Sequence, residues 1–152
     1  MRSFSTILLT TFYRYQIRWH GKDRVKFLEK IVVGDIAGLA EGHGCLSLVT
    51  NEQGGILDDT VITNAGDHIY MVVNGATKFG DMEHFQNHMS QFDGEVCMDY
   101  LEDTMQLLAI QGPGAAAAVS KLLPSNFDLT RMAFMTGTAT TLDGVDGCRI
   151  TR

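Results

Sequence analysis

Cysteine, proline and long apolar runs are all scarce in this chain, and each shortage excludes something. The three cysteines, Cys45, Cys97 and Cys148, stand far apart among 152 residues and form no CxxC pair. A zinc ribbon and a thioredoxin-type site both need paired cysteines, so neither is expected, and three free thiols suit a reducing compartment. Two prolines beside 16 glycines, with 45% hydrophobic and 20% charged residues, exclude collagen, coiled coil and a disordered tail. No apolar run reaches the roughly 18 residues that a membrane span requires, so no membrane partner is expected. GxSxG, P-loop and GxGxxG patterns are missing as well, which removes the common hydrolase, NTPase and dinucleotide-binding readings.

Basic charge is also thin. Twelve Lys+Arg against 18 Asp+Glu leave a net charge of −6, so no nucleic-acid partner is expected. The distribution is uneven: residues 1–20 hold Arg2, Arg14 and Arg18 and no acid, whereas Ile31 to Thr77 contains no Lys or Arg. An anionic ligand bound in that middle stretch needs backbone N–H groups or basic residues from elsewhere in the fold. The Ser/Thr-rich head, residues 1–14, resembles the start of a mitochondrial transit segment, with an alternative start as the other reading.

What is present is an alternation of strand and helix patterns in a chain the size of one domain. Gln16–His20 reads as a strand, and a helix is expected over about Lys22–Val33, with Val25, Leu28 and Val32 on one stripe. Three strands, Cys45–Thr50, Ile56–Asn64 and His68–Asn74, follow as a meander joined by glycine-bearing turns. A helix over Lys78–Phe92, capped by Thr77, aligns Met82, Phe85, Met89 and Phe92 on one face. Strands are expected at Glu95–Tyr100 and Thr104–Gln111, then a helix from Pro113 to Pro124. Cys148 and Ile150 alternate with Arg149 and Thr151 to the last residue, which reads as a strand of a chain that continues. The expected class is α+β with a mixed, largely antiparallel sheet and packed helices.

Chemistry is best placed at Asn51-Glu52-Gln53-Gly54-Gly55-Ile56-Leu57-Asp58-Asp59-Thr60-Val61. Period-2 alternation sets Asp59 beside Leu57 and Val61, and Asp58 beside Ile56, Thr60 and Ile62. At least one carboxylate then faces an apolar side, which suggests a perturbed pKa and acid–base or positioning duty; a carboxylate that serves the turn is the alternative. Asn74 ends a buried strand and either meets a planar heterocycle or caps the next helix. Gln111-Gly112-Pro113-Gly114 is a structural turn or a weak anion site. His84 and His88 share a helix face at metal-pair spacing, but the sequence supplies no third ligand and no metal is expected.

The runs Gly21-Lys22-Asp23-Arg24-Val25-Lys26-Phe27-Leu28, Val32-Val33-Gly34-Asp35-Ile36 and Gly54-Gly55-Ile56-Leu57-Asp58-Asp59 resemble the aminomethyltransferase family, the T-proteins of the glycine cleavage system. The resemblance continues through His68-Ile69-Tyr70-Met71-Val72-Val73-Asn74, Leu107–Pro113 and Gly147–Arg152, and covers residues 15–152 as an incomplete folate-binding domain. It implies transfer of an aminomethyl carbon from the lipoyl arm of H-protein to tetrahydrofolate, with release of ammonia, in the mitochondrial matrix. By the same resemblance Asp59 is the catalytic residue, Leu46 and Val72 hold the pterin, and Asn74 bonds its edge. Family members continue into a Gly-Tyr-Thr-Gly-Glu segment, further pocket residues and two more domains. The alternatives carried with this reading are a non-catalytic folate-binding relative and an inactive truncated fragment.

Overall fold

The computed structural model describes residues 8–11, 14–101 and 104–152, so most of the transit-like head lies outside the described residues. In chain order the elements are β1 (Leu8–Thr11), β2 (Arg14–His20), α1 (Arg24–Ile31), β3 (Gly44–Thr50), β4 (Ile56–Asn64), β5 (Ile69–Asn74), α2 (Lys78–Ser90), β6 (Cys97–Tyr100), β7 (Leu108–Gln111), α3 (Ala115–Val119), β8 (Gly137–Leu142) and β9 (Val145–Thr151). They sort into two compact units, one over 13–106 and the other over 107–152 with β1.

The larger unit is a five-stranded antiparallel sheet in the order β3-β4-β5-β2-β6. This is the α+β architecture the sequence pattern predicts. β3, β4 and β5 form a meander, and the earlier strand β2 pairs with the far side of β5, with Tyr15 opposite Val73 and Ile17 opposite Met71. β5 is the sheet's central strand. Its residues Ile69–Val73 are all buried, which is why it reads as an unbroken apolar run.

One face of this sheet is covered by helices. Ile17, Trp19, Val49, Ile62, Met71 and Val73 from the strands are buried against Phe27, Leu28 and Ile31 of α1 and Phe85 of α2. Trp19 sits at the centre: its ring lies 5.3 Å from Phe27 and 5.5 Å edge-on from Phe85, and its indole N–H donates to Met71 Sδ at 3.3 Å. An indole donor without a partner in such a place would lose its hydration uncompensated. The expected α2 stripe is present, with Phe85 fully buried and Met82, Met89 and Phe92 packed around it.

The entry to α1 explains the Gly21-Lys22-Asp23 run. Gly21 has φ +97°, and a Cβ there would collide with the Glu95 carbonyl oxygen. That close approach lets Asp23 N–H donate to Glu95 O at 3.1 Å while Glu95 N–H donates to the Asp23 carboxylate at 2.8 Å. Asp23 stands at the helix N-cap position yet spends its carboxylate on the β6 approach rather than on the helix.

Several boundaries differ from the sequence reading. The helix expected from Pro113 to Pro124 spans only Ala115–Val119, because Lys121 and Leu122 N–H groups bond three residues back and tighten the chain into turns. The strand expected from Thr104 begins at Leu108, since Thr104 and Met105 N–H both donate to Leu101 O as a turn. β8 and β9 form a hairpin through Asp143-Gly144, both with positive φ, at 49° and 80°. The expected elements leave 137–142 unassigned. An Asp-Gly pair at positive φ is the chemistry of a type I′ turn.

Candidate functional site

The opposite face of the five-stranded sheet carries the predicted site residues. Cross-strand register puts Leu46 opposite Val61, Val61 opposite Val72, and Val72 opposite Gln16, a row that crosses four strands. The adjacent row runs from Leu48 to its partner Asp59, and from Asn74 to its partner Arg14. Leu46, Val72, Asn74 and Asp59 therefore lie on one surface in neighbouring strands. Leu46 is 69% exposed and Asp59 is exposed, whereas Val72 is buried.

The turn that delivers β4 is built by Asn51. Its side-chain oxygen accepts Gln53 N–H at 3.1 Å and Gly55 N–H at 2.7 Å, and its backbone N–H donates to Gly55 O at 2.9 Å. Gly54, at φ +76°, closes this loop in the conformation that favours glycine. The hairpin fixes the register of β4, and register decides which aspartate faces which side.

The inward carboxylate is Asp58, not Asp59. Asp58 is 6% exposed on the helix-covered side, while Asp59 points to the open side. Asn74 joins them. Its backbone N–H donates to Asp58 Oδ2 at 2.9 Å, and its amide Nδ2 donates to Asp58 Oδ1 and to Asp59 Oδ1, each at 2.7 Å. Burial alone would push the Asp58 carboxyl up, but the Asn74 amide and backbone N–H groups hold it below the usual carboxylate value. With both amide hydrogens directed at aspartates, the group Asn74 can offer a ligand is its carbonyl oxygen, an acceptor. Asn74 thus caps no helix. Thr77 holds the N-cap position of α2, but its hydroxyl donates back to Asn74 O at 3.2 Å instead of capping the helix.

Positive charge reaches this surface from β2. Arg14 pairs with Asn74 and Arg18 with Tyr70 in register, so two arginines from the head-proximal strand stand beside a stretch of chain that has none. One Arg18 amine lies 3.6 Å from Met105 Sδ. Tyr70 O–H donates to Gln16 Oε1, and Gln16 Nε2 donates to Met105 O at 3.3 Å. An anionic ligand on this stretch needs backbone N–H groups or basic residues from elsewhere, and strand order brings Arg14 and Arg18 beside it.

The remaining candidates fare less well. His84 and His88 rings lie 4.5 Å apart beside a polar groove of about 270 Å³, lined also by Asn51, Glu52, Gln53, Asn87 and Gln91. Among the described residues, no three His, Cys, Asp or Glu side chains converge on a metal-sized site. Burial and the neighbouring His88 hold His84 below the usual imidazole value. Gln111–Gly114 belongs to the other unit, where it opens the five-residue helix α3.

Comparison with known proteins gives this geometry a lineage. The model of the GCVT N-terminal domain matches residues 8–152. The chain belongs to the GCVT N-terminal domain family. This GCVT domain is 46% identical over 142 residues to the mitochondrial aminomethyltransferase of Dictyostelium discoideum, covering 90% of the chain and 34% of that protein. It is 45% identical over 139 residues to the Gallus gallus counterpart, with 90% and 35% covered. Among solved structures, the glycine cleavage system aminomethyltransferase T from Bartonella henselae superimposes with a TM-score of 0.78 at 27% identity, covering 90% of this chain and 37% of that one. The chain spans about a third of the length of the curated relatives it matches.

Proposed function

We propose that the open sheet face is the folate side of a glycine cleavage aminomethyltransferase, with Asp59 as its catalytic carboxylate. The observation that carries this reading is the juxtaposition on one surface of an apolar row, Leu46–Val61–Val72, and an exposed carboxylate tethered by Asn74. A pterin is flat, apolar on its faces and polar at its rim, and such a ligand suits an aliphatic row bordered by fixed acceptors. In this role Leu46 and Val72 contact the pterin, and the Asn74 carbonyl oxygen accepts from an N–H at its edge. Arg14 and Arg18 supply the positive charge that the folate carboxylates call for.

The reaction moves one carbon. The aminomethyl carbon leaves the lipoyl sulfur, which returns to the thiol, and its amine departs as ammonia. The carbon ends bonded to two folate nitrogens, as 5,10-methylenetetrahydrofolate. Asp59 orients the attacking amine by accepting its N–H and gathers the proton released as the new C–N bond forms. A carboxylate held at a fixed angle by Asn74 is preorganised for that contact and needs no reorientation when charge develops. The lipoylated H-protein is the donor in this reading and the mitochondrial matrix the compartment; the Dictyostelium and Gallus relatives are named as mitochondrial.

Calorimetric titration of the chain with 5-methyltetrahydrofolate tests the reading. One-to-one saturable binding is expected, weakened when Leu46 or Val72 is changed to a polar residue. A folded chain that binds no folate would overturn the assignment of this face. An Asp59→Asn change tests the catalytic role separately: turnover with aminomethylated H-protein should fall strongly while folate affinity changes less. Equal turnover in both would remove Asp59 from the chemistry and leave a folate-binding protein without transferase activity.

A further inference from the structure

Behind the exposed Asp59 lies a second carboxylate that the proposed reaction does not use. Asp81 sits in the first turn of α2, only 2% exposed, and faces the Asp58 carboxylate across the helix-covered side of the sheet. Its Oδ2 is fully buried and no hydrogen-bond donor reaches it. Asp58, in contrast, receives both the backbone N–H and the amide of Asn74. Two buried carboxylates face to face resist joint ionisation, so the pair holds one proton between them into the mildly acidic range. That proton belongs on Asp81, because Asp58 has N–H donors to stabilise its charge and Asp81 Oδ2 has none. A protonated Oδ2 then donates to Asp58, which resolves the buried orphan oxygen and the repulsion together.

The backbone ties the same groups. Asp81 N–H donates to Thr77 O at 3.0 Å, and Thr77 hydroxyl donates to Asn74 O at 3.2 Å. The network thus runs from Asp81 to Asp58, from Asp58 to Asn74, and from Asn74 Nδ2 to Asp59 Oδ1 at 2.7 Å. It passes from the core side of the sheet to the open side. We propose that Asp81 is a positioning residue whose proton-bearing carboxyl locks Asp58, so that Asp58 clamps Asn74 and Asn74 fixes the direction of Asp59. As a statement about catalysis it rests on the role proposed above for Asp59; as a statement about the network it does not.

Burial pushes the Asp81 carboxyl up to about 6; the Thr77 side chain holds it back, and Asp58 adds to the rise. The groups around it are few. Among the described residues, β4 contributes the charge acting on it, Asp58, and the α2 entry contributes the neutral Thr77 hydroxyl. The Lys78 ammonium lies 4.3 Å from the Tyr15 ring and 5.4 Å from the Tyr100 ring. The lock is therefore closed in mildly acidic solution and opens as Asp81 ionises.

The test uses the 152-residue chain and two substitutions. Asp81→Asn keeps a donor toward Asp58 and cannot ionise; Asp81→Ala removes the donor. The reporter is the Asn74 side-chain amide in ¹⁵N-correlated NMR spectra, collected across the mildly acidic to neutral range, with near-ultraviolet circular dichroism as the check on folding. In the parent chain this resonance should move in one step centred near the Asp81 titration. In Asp81→Asn it should stay at the acidic position throughout. In Asp81→Ala it should shift at every pH, and affinity for 5-methyltetrahydrofolate should drop roughly tenfold while Asp81→Asn stays within about twofold of the parent. An Asn74 resonance indifferent to Asp81→Ala in a folded chain would overturn the proposal, and so would a titration that persists in Asp81→Asn. Should Asp81→Ala fail to fold, the Asp81→Asn titration alone decides. A parent chain that binds no folate but shows the titration would sink the folate reading and leave the positioning network standing.

Discussion

Asp58 and Asp59 are sequence neighbours with opposite fates, because the two faces of one sheet are different solvents. On the helix side, Asp58 is buried opposite Val49, and its charge is held chiefly by Asn74, which donates to both of its oxygens. On the open side Asp59 keeps its exposure and makes one side-chain contact with the same amide. The covered aspartate is consumed by structure, and that consumption is what frees and aims the exposed one. In the proposed reading the pair divides into one structural anchor and one chemical tool, assigned by register.

The comparison predicts that damage to the helix side is paid in stability and damage to the open side in binding. The largest effect should come from Trp19→Ala, which empties a site packed by Phe27, Phe85 and Met71; about 3–5 kcal/mol of unfolding free energy is expected to disappear. Urea denaturation followed by fluorescence of the remaining tyrosines, or by circular dichroism, measures it. A loss below about 1 kcal/mol would mean that the helix face is not the core. Asp58→Ala should rank second. It leaves the half-buried Asn74 N–H and amide without their partner, a cost of about 1–3 kcal/mol, and it should also loosen Asp59. If urea midpoints show Asp58→Ala as harmless as a surface change, the division between the two faces fails.

Much of the helix face was legible in the sequence, for a physical reason. Apolar periodicity reports burial, and Met82, Phe85, Met89 and Phe92 announced both the helix and its inner side. The meander was equally plain, since β4 begins and ends where glycine and asparagine turns bracket an apolar run, at Ile56 and Asn64. Alternation also separated Asp58 from Asp59 correctly, but it could not say which face the helices would cover. Alternation is symmetric, and only the packing of α1 and α2 breaks the symmetry. The arginines of β2 were hidden for another reason. Their place beside Asn74 depends on strand order, a non-local property with no local signature. The β8–β9 hairpin is different again: Asp143-Gly144 is a local I′ signal flanked by Leu142 and Val145, and it was there to be used.

Smaller and pH-dependent effects sharpen the comparison. Asp81 has a raised folded value of about 6 against an ordinary 3.8, so the folded state holds its proton more tightly than the unfolded one. Its contribution is fully present below about pH 4 and is lost as pH rises through 6. Asp58 has the opposite sign: its lowered folded value gives stability above its ordinary value, lost as the solution becomes strongly acidic. His68 and His84, both lowered chiefly by burial, favour the folded state at neutral pH and oppose Asp81 over the same range. The informative quantity is accordingly a difference. Between pH 5 and 7 the parent should lose about 1 kcal/mol relative to Asp81→Asn, in which the histidine contributions are unchanged. Parallel stability curves for the two would show that Asp81 ionises freely.

The smallest stability effect belongs to the open face, and it discriminates because it is small. Leu46→Ser and Asp59→Asn alter groups that are exposed and, apart from the Asn74 contact, touch solvent. Surface changes of this kind stay within about 0.5 kcal/mol of the parent. Leu46→Ser removes apolar surface that nothing in this unit covers, so folding has little to lose by it. Binding has more to lose, since a flat heterocycle laid on Leu46 would bury that surface at about 25 cal/mol per Å². Measured together, an unchanged urea midpoint and a weakened folate titration would identify Leu46 as a ligand contact. A lowered midpoint with unchanged titration would instead make Leu46 part of a packed interior, and the sheet would have two structural faces and no functional one.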